Sequence, residues 1–177
     1  MKKFLDFLAP FLERGLCIAA LIFPFVEVSA YFGPKVFMTQ DSQALKLFYT
    51  NNILKLSNFY AENTYLCFFV MIWVFVICSS GKLPFSSYID IKMTKYLRYN
   101  VIQAILSNIV CSACGIIFSF LPLAIRESLI GLMLANSIYL GVILYMLYSS
   151  LLIFYGRYPQ VPILSDAARL NVQRFYE

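Results

Sequence analysis

Four long apolar stretches dominate the sequence and restrict the folds that it can adopt. They cover about Gly15–Phe32, Thr64–Ser80, Val101–Ala124 and Leu129–Tyr155. A helix needs about 20 apolar residues, within a range of about 17–25, to cross the hydrocarbon core of a bilayer. Because the backbone cannot leave its polar groups unpaired in lipid, each crossing segment must be helical. The sequence therefore predicts an all-α integral membrane protein with four transmembrane helices.

The composition supports a membrane protein and argues against several other classes. Hydrophobic residues make up 61% of the chain and charged residues 13%, whereas soluble domains average about 25% charged residues. The 14 Lys and Arg residues outnumber the 9 Asp and Glu residues without forming a basic block. This excess suits an anionic membrane surface and not a nucleic-acid partner. The sequence contains no histidine and no recognisable set of nucleophile, base and orienting group. We therefore expect no enzymatic activity, no cofactor and no metal site.

We expect residues 1–177 to form one membrane domain, with residues 156–177 as its C-terminal tail. Pro24 lies inside the first span and predicts a kink there. Glu13 and Arg14 interrupt the apolar run near the N-terminus, and Glu27 stands just before the candidate cleavage site, so we expect this span to be retained and not removed as a signal peptide. Only Ile125–Ser128 separate the last two spans, which predicts a tight antiparallel pair.

The basic residues predict the orientation of the chain in the membrane. If four spans cross, ten of the fourteen basic residues fall on one side. These are Lys2, Lys3, Arg14, Lys82, Lys92, Lys95, Arg98, Arg157, Arg169 and Arg174. Short loops rich in Lys and Arg stay in the cytosol. Both termini should therefore face the cytosol or its organellar equivalent.

The first loop contains a candidate amphipathic helix at residues 42–60. Apolar side chains recur there at spacings of three and four, at Leu45, Phe48, Tyr49, Ile53, Leu56, Phe59 and Tyr60. At about 100° per residue they fall on an arc of about 140°. This pattern favours an interfacial helix on the outer face of the bilayer. A loop helix packed over the bundle and a surface that docks a partner are the alternatives.

The third span carries a narrow polar face. Residues at steps of four, three, four, four and three share it, namely Tyr96, Asn100, Gln103, Ser107, Cys111 and Cys114. In the fourth span a similar stripe of small and hydroxylated residues comprises Ser137, Gly141, Tyr145 and Tyr148. Such residues commonly bond across membrane helices at about 0.6–2 kcal/mol each, which favours helix packing. The functional alternative is the lining of a path for a polar substrate.

Glu27 is the only acidic residue well inside a predicted span. A carboxylate at the membrane centre costs about 2.5–3.5 kcal/mol on insertion scales, so the side chain should face the bundle or water. A structural acid near the rim is favoured, and a proton-coupled role is the alternative.

The Cys111 and Cys114 pair matches a C-x-x-C pattern inside the third span. With no second pair and no histidine, tetrahedral zinc would lack ligands. Because reactive cysteines need exposure, we favour buried small side chains over a redox pair.

Three segments resemble a known family. Met93–Ala104 has the sequence MTKYLRYNVIQA, Tyr155–Val172 has the sequence YGRYPQVPILSDAARLNV, and Phe120–Leu123 form a Phe-Leu-Pro-Leu break. This pattern is similar to the twenty-kilodalton subunit family of the chloroplast inner-envelope protein translocon, the Tic complex. The resemblance extends over essentially all four helices, and the mass of 20.4 kDa agrees.

The resemblance implies a four-span protein of the plastid inner envelope with both termini in the stroma. Without a transit peptide, the chain looks like an organelle-encoded algal version, and the alternative location is a cyanobacterial inner membrane with cytoplasmic termini. The implied partners are other translocon subunits, transiting preproteins and the lipid bilayer, with a homo-oligomer as a further option. The implied function is to help conduct preproteins.

We expect Asn100, Gln103, Ser107 and Glu27 to face the path or a partner. Two alternatives stay open. The chain could be a small-solute transporter subunit that uses Glu27, or an assembly scaffold of a membrane complex.

Overall fold

The computed structural model describes residues 2–39, 42–80, 82–83, 86–90 and 93–173. Helices account for most of them: α1 Lys2–Ala20, α2 Ile22–Met38, α3 Gln43–Phe48, α4 Leu54–Glu62, α5 Thr64–Ser80, α6 Lys95–Phe120, α7 Leu123–Arg126, α8 Leu129–Phe154 and α9 Leu164–Gln173. A π-helical turn, Tyr49–Ile53, joins α3 to α4. The predicted helical membrane protein is confirmed at this level.

Three of the helical segments are long and apolar enough to cross a membrane: Pro10–Met38, Lys95–Phe120 and Leu129–Phe154. They contain the first and fourth predicted spans almost entirely and most of the third. The second predicted span forms α5, whose 17 residues follow the helical segment Gln43–Glu62 after a bend of 85°. If this bent pair is counted as one span, the number of candidate spans rises from three to four.

The first span is interrupted close to the predicted kink at Pro24, and the third span ends earlier than predicted. In the first candidate span, α1 ends at Ala20 and α2 begins at Ile22. Between them, the Leu21 N–H bonds to the Ile18 carbonyl oxygen at 3.0 Å. Pro24 explains this position, because a proline ring clashes with the carbonyl group four residues earlier. The third span ends at Phe120 and not at Ala124. The reason is the following proline, Pro122, which holds the residue before it in the extended conformation.

The bundle has two distinct ends. At the first, which we call the tail end, the Thr94 hydroxyl donates to the Glu13 carboxylate. At the second, which we call the loop end, Lys35 Nζ donates to the Arg126 carbonyl oxygen. The segment formed by α1 and α2 therefore runs in the same direction as α6. Since α8 begins at the loop end, directly after Arg126, it runs against both of them.

The predicted tight pair between the last two spans is wrong. Helix α8 packs mainly against α2, and α2 also packs against α6 and α4. The contact between α2 and α6 is close at Gly115, where a Cβ atom would lie 2.4 Å from the Tyr31 ring. Near the loop end the Phe32 and Phe118 rings meet edge to face at 5.2 Å. The short link after α6 fixes the direction of α8, but side-chain packing selects α2 as its neighbour.

Between α5 and α6 the chain forms a two-stranded antiparallel ladder, β1 (Lys82–Leu83) with β2 (Ser86–Asp90). This short ladder was not predicted, but it lies in a link between helices and leaves the all-α class of the fold unchanged. Lys92 and Arg174, which contributed to the predicted orientation, lie outside the described residues.

Candidate functional site

The predicted polar face of the third span lies on α6 and is buried inside the bundle. Helix α6 begins after Thr94, whose hydroxyl oxygen accepts from the Leu97 N–H at 3.2 Å. From this start the predicted spacing holds, and Asn100, Gln103 and Ser107 are all buried, with Gln103 only 2% exposed. The helix therefore brings together three of the four predicted site residues.

These residues face α1 and α8. The Asn100 side chain lies beside the Cys17 thiol on α1. From α8, the Tyr145 hydroxyl lies beside the Ser107 hydroxyl. One turn before Asn100, the Tyr96 hydroxyl donates to the Ile153 carbonyl oxygen at 3.1 Å. Long tyrosine side chains thus bridge α6 and α8, whose backbones do not pack closely.

Several buried polar atoms in this region lack a hydrogen-bond partner within the described chain. They are Asn100 Oδ1, Gln103 Oε1 and Nε2, Asn108 Oδ1 and Ser149 Oγ. We call Asn100, Gln103, Ser107, Asn108 and Ser149 the amide row. An unsatisfied buried polar group costs about 1–3 kcal/mol. The amide row is therefore an interior surface that can donate to and accept from a polar molecule.

Glu27 lies apart from the amide row, on the side of α6 that carries Ser112. Its carboxylate accepts hydrogen bonds from the Ser112 and Tyr60 hydroxyls, and the residue is only 3% exposed. Glu27 also lines a cavity of about 200 Å³, together with Ala30, Tyr31, Tyr60, Ala61 and Thr64. Within the described residues, no Lys or Arg forms an ion pair with it. The carboxylate therefore ties α2 to α4 and α6.

Sequence reasoning did not identify Tyr60 as a partner of Glu27 or Ser149 as part of the amide row. The helical spacing places Tyr60 on the apolar arc of the predicted helix at residues 42–60. Nothing in this spacing indicates that its hydroxyl group bonds to Glu27. Ser149 lies outside the stripe predicted for the fourth span. Both partnerships depend on tertiary packing, so spacing along one helix could not reveal them.

The predicted amphipathic helix splits its apolar residues between two environments. Tyr49, Ile53 and Ser57 are buried, and α4 packs against α2. The Tyr49 ring stacks on the Phe37 ring with centroids 4.9 Å apart. Other members of the predicted arc are exposed: Leu45, Phe48, Leu56 and Phe59. The segment is thus packed over the bundle on one side and apolar and open on another, and its interfacial placement stays a prediction.

The stripe predicted for the fourth span does not face inward as a unit. Ser137 and Gly141 are exposed, and a Cβ atom at Gly141 would meet open space. Ser137 Oγ donates to the Met133 carbonyl oxygen of its own helix at 2.9 Å. Only Tyr145 reaches the amide row.

The cysteines are all free thiols: Cys17, Cys67, Cys78, Cys111 and Cys114. Cys111 is buried and Cys114 is half-buried. Within the described part of the chain, no group of three or more His, Cys, Asp or Glu side chains is placed to hold a metal ion.

Comparisons with a family model and with curated proteins all point to the same family. The family described as "Chloroplast import apparatus Tic20-like" matches residues 13–168. The chain is 28% identical to a "Tic20 family protein Ycf60" of Gracilaria tenuistipitata var. liui over 152 residues, which is 84% of this chain and 70% of the relative. It is 26% identical to the protein of the same name in Cyanidium caldarium, over 90% of this chain and 73% of the relative.

A relative from Synechocystis sp., named "Tic20 family protein", is 26% identical over 91% of this chain and 93% of its own length. The family match covers all three candidate spans, apart from the first residues of the first one, together with most of the tail that follows α8. The chain belongs to the Tic20 family.

Proposed function

We propose that the chain is a non-enzymatic membrane subunit of a protein-import translocon, which helps conduct preproteins across the plastid inner envelope. The observation that carries this proposal is the family match over residues 13–168. Relatives with the same family name in Gracilaria and Cyanidium support a plastid location, and the Synechocystis relative supports a cyanobacterial inner membrane as the alternative. Other translocon subunits and transiting preproteins are the proposed partners, with a second copy of the chain as a further candidate.

The amide row supports a physical role in conduction. An extended preprotein carries backbone N–H and C=O groups that need partners wherever water is excluded. The side chains of Asn100 and Gln103 can both donate and accept, and three of their polar atoms have no partner among the described residues. Because the row is buried, α8 must move away from α6 before a preprotein can reach it. The chain would supply the path, and the driving force would come from another subunit.

The proposed topology has four crossings with both termini in the stroma. Helix α2 ends at the loop end of the bundle, whereas α6 begins at the tail end. The segment between them must therefore return along the bundle. Helix α5 is the apolar segment that makes this return, and the Cys78 thiol near its end lies 3.9 Å from the Met93 sulfur, just before α6.

Single-cysteine labelling in sealed inner-envelope vesicles tests this topology. With the native cysteines replaced, an impermeant maleimide outside the vesicles should label Leu123→Cys at the loop end. It should leave Ser86→Cys and Ile163→Cys unlabelled until detergent is added. If Ser86→Cys were labelled together with Leu123→Cys, α5 would not cross and the four-crossing topology would be wrong.

A photo-crosslinker at Gln103 tests the conduction role. We expect an adduct with a radiolabelled preprotein arrested midway through import into isolated plastids, and none without arrest. The control position is Ile117, which lies on the same helix and is exposed to lipid. Efficient arrest without an adduct at Gln103, Asn100 or Ser107 would favour the assembly scaffold.

A second candidate function is a small-solute transporter subunit that uses Glu27. The cavity of about 200 Å³ beside this carboxylate favours it. A transporter should lose most of its solute flux on Glu27→Gln while preprotein import is unaffected. If that variant keeps normal flux, the transporter function is excluded.

A further inference from the structure

A basic pocket lies at the tail end, where α8 ends and the chain continues towards α9. Its volume is about 500 Å³. Its lining includes Tyr148 and Leu152 from the last turns of α8, and Arg157, Gln160 and Arg169 from the chain that follows. We call it the tail pocket. Apolar and cationic side chains thus share one concave surface.

The end of α8 fixes the position of Arg157. Gly156 adopts a φ of 72°, which favours glycine, and its N–H bonds to the Ile153 carbonyl oxygen at 2.9 Å. The Arg157 N–H bonds to the Leu152 carbonyl oxygen at 2.8 Å. Together these bonds form a Schellman motif, which terminates the helix in a defined geometry. Arg157 therefore leaves the helix in a fixed direction, three residues after Phe154, where the candidate span ends.

Tyrosine hydroxyl groups hold the loop that carries Arg157 and Gln160. The Tyr99 hydroxyl donates to the Pro159 carbonyl oxygen at 2.8 Å, and the Tyr148 hydroxyl donates to the Gln160 carbonyl oxygen at 3.4 Å. The Tyr158 ring packs edge to face on Tyr99, with centroids 5.0 Å apart. A site held in this way loses little conformational entropy when a ligand binds.

A third guanidinium group adjoins the pocket. Arg14 Nη1 donates to the Phe154 carbonyl oxygen at 2.9 Å, and Gly156 leaves room for it, since a Cβ atom there would lie 2.8 Å from Arg14 Nη2. On α9, the Arg169 side chain lies beside the Tyr99 hydroxyl. Helix α1, the α8 terminus and α9 thus bring cationic groups to one place.

The positive charge of the tail pocket is not neutralised by the described residues. Both ion pairs in that part of the chain involve Glu127, at the opposite end of the bundle. The acidic residue nearest to Arg169 in sequence is Asp166, which lies one turn earlier on α9. Asp166 forms no ion pair with Arg169. At the tail end the Glu13 carboxylate accepts from Thr94. Among the described residues, the arginines of the pocket therefore have no ion-pair partner, and they lie just beyond the end of the candidate span, where we expect the headgroups of a bilayer.

We infer that the tail pocket binds the headgroup phosphate of an anionic membrane lipid, with the acyl chains lying along α8. Guanidinium groups bind phosphate oxygens through paired, charge-assisted hydrogen bonds. Basic pockets beside membrane helices are suited to anionic headgroups. Below the arginines, Leu152 and the exposed side chains of Leu144 and Leu151 offer an apolar track. A free phosphate ion would make no use of this track, so the shape favours a lipid.

Lipid titration of the purified full-length chain in a neutral detergent tests the assignment. We expect phosphatidylglycerol to raise the unfolding temperature, whereas phosphatidylcholine at equal concentration has little effect. The R157Q/R169Q variant should need about tenfold more phosphatidylglycerol for each arginine lost, because each charge-assisted pair contributes about a factor of ten. The control is K46Q/K55Q, which removes the same charge from α3 and α4 and should respond like the unchanged chain.

Two outcomes would overturn the proposal. If R157Q/R169Q responds to phosphatidylglycerol like the unchanged chain, the tail pocket is not the site and the inference is overturned. If inorganic phosphate alone stabilises the chain as much as the lipid does, the ligand is a free anion and the lipid assignment is wrong. Native mass spectrometry gives an independent measure that does not depend on unfolding. The unchanged chain should retain one anionic lipid, and the folded R157Q/R169Q variant should lose it.

Discussion

The environment of Glu27 explains how a carboxylate is accommodated within a membrane span. Its two oxygens accept from the hydroxyl groups of Tyr60 and Ser112, which belong to two other helices. Hydrogen bonds to a charged group contribute about 1.5–3 kcal/mol each, more than bonds between neutral groups. Glu27 therefore helps to hold the loop helix against the bundle, whatever further role it has.

Two replacements of Glu27 separate the effect of its negative charge from that of its shape and hydrogen bonds. Glu27→Ala should lower the free energy of unfolding by about 2–4 kcal/mol, because it removes the partner of two half-buried hydroxyl groups and opens a cavity. Glu27→Gln should cost less than half as much, since its amide can still bond to both hydroxyls. Denaturant unfolding in detergent measures the difference. Equal losses in the two variants would mean that the negative charge itself carries the stability.

At the scale of single residues, spacing along one helix predicted which side chains share a face but not what they touch. The steps between Asn100, Gln103 and Ser107 were sufficient to place them together on α6. The link between Glu27 and Tyr60 joins residues 33 positions apart. It depends on how α4 folds back over α2, and local periodicity contains no information about that.

At the scale of helices, the closest packing between α2 and α6 occurs at Gly115. Gly115→Ala should lower the free energy of unfolding by about 1–3 kcal/mol, because the added methyl group would overlap the Tyr31 ring. Thermal unfolding in detergent is the measurement. The matched control is Gly141→Ala on α8, where the methyl group meets open space and alanine favours a helix by about 1 kcal/mol. Gly141→Ala should therefore keep or raise the free energy of unfolding. If Gly115→Ala showed no loss, or the two variants showed the same loss, the contact with Tyr31 would not be the cause.

Hydropathy located the helices but misplaced some of their ends and partners. It excluded the polar first turns of α6, although Thr94 provides a helix cap directly before Lys95. It also continued the third span beyond Pro122, where backbone geometry ends the helix. The predicted pairing of the last two spans relied on a short link, whereas the preference of α8 for α2 arises from side-chain fit. Apolar composition alone does not distinguish between such partners.

At the scale of the whole molecule, conduction requires the bundle to open between α6 and α8. A cysteine at Gln103, in a background without native cysteines, should react slowly with a water-soluble maleimide at rest. Arrest of a preprotein should raise this rate more than tenfold, because water would then reach the amide row. The reference site is Ile163→Cys, which is already exposed and should react at the same rate in both states. A constant rate at Gln103 would show that the row stays closed during import.

The sequence was sufficient to predict a helical membrane protein, its three longest apolar helices and its family. It could not predict the broken path from α3 to α5 or the ladder between β1 and β2. The 85° bend lies where two helices meet at Asn63, and the apolar pattern on either side of it is equally compatible with a straight continuation.

The length of α5 has a consequence for the surrounding lipid. Its 17 residues span about 25 Å at a rise of 1.5 Å per residue, whereas the hydrocarbon core of a bilayer is about 30 Å thick. In the proposed topology this hydrophobic mismatch is relieved by local thinning of the bilayer beside α5. Because α5 has a widely exposed face, from Tyr65 to Trp73, the thinned lipid would lie directly against the protein. A polar chain that crosses next to this helix would meet a shorter barrier than elsewhere in the same membrane.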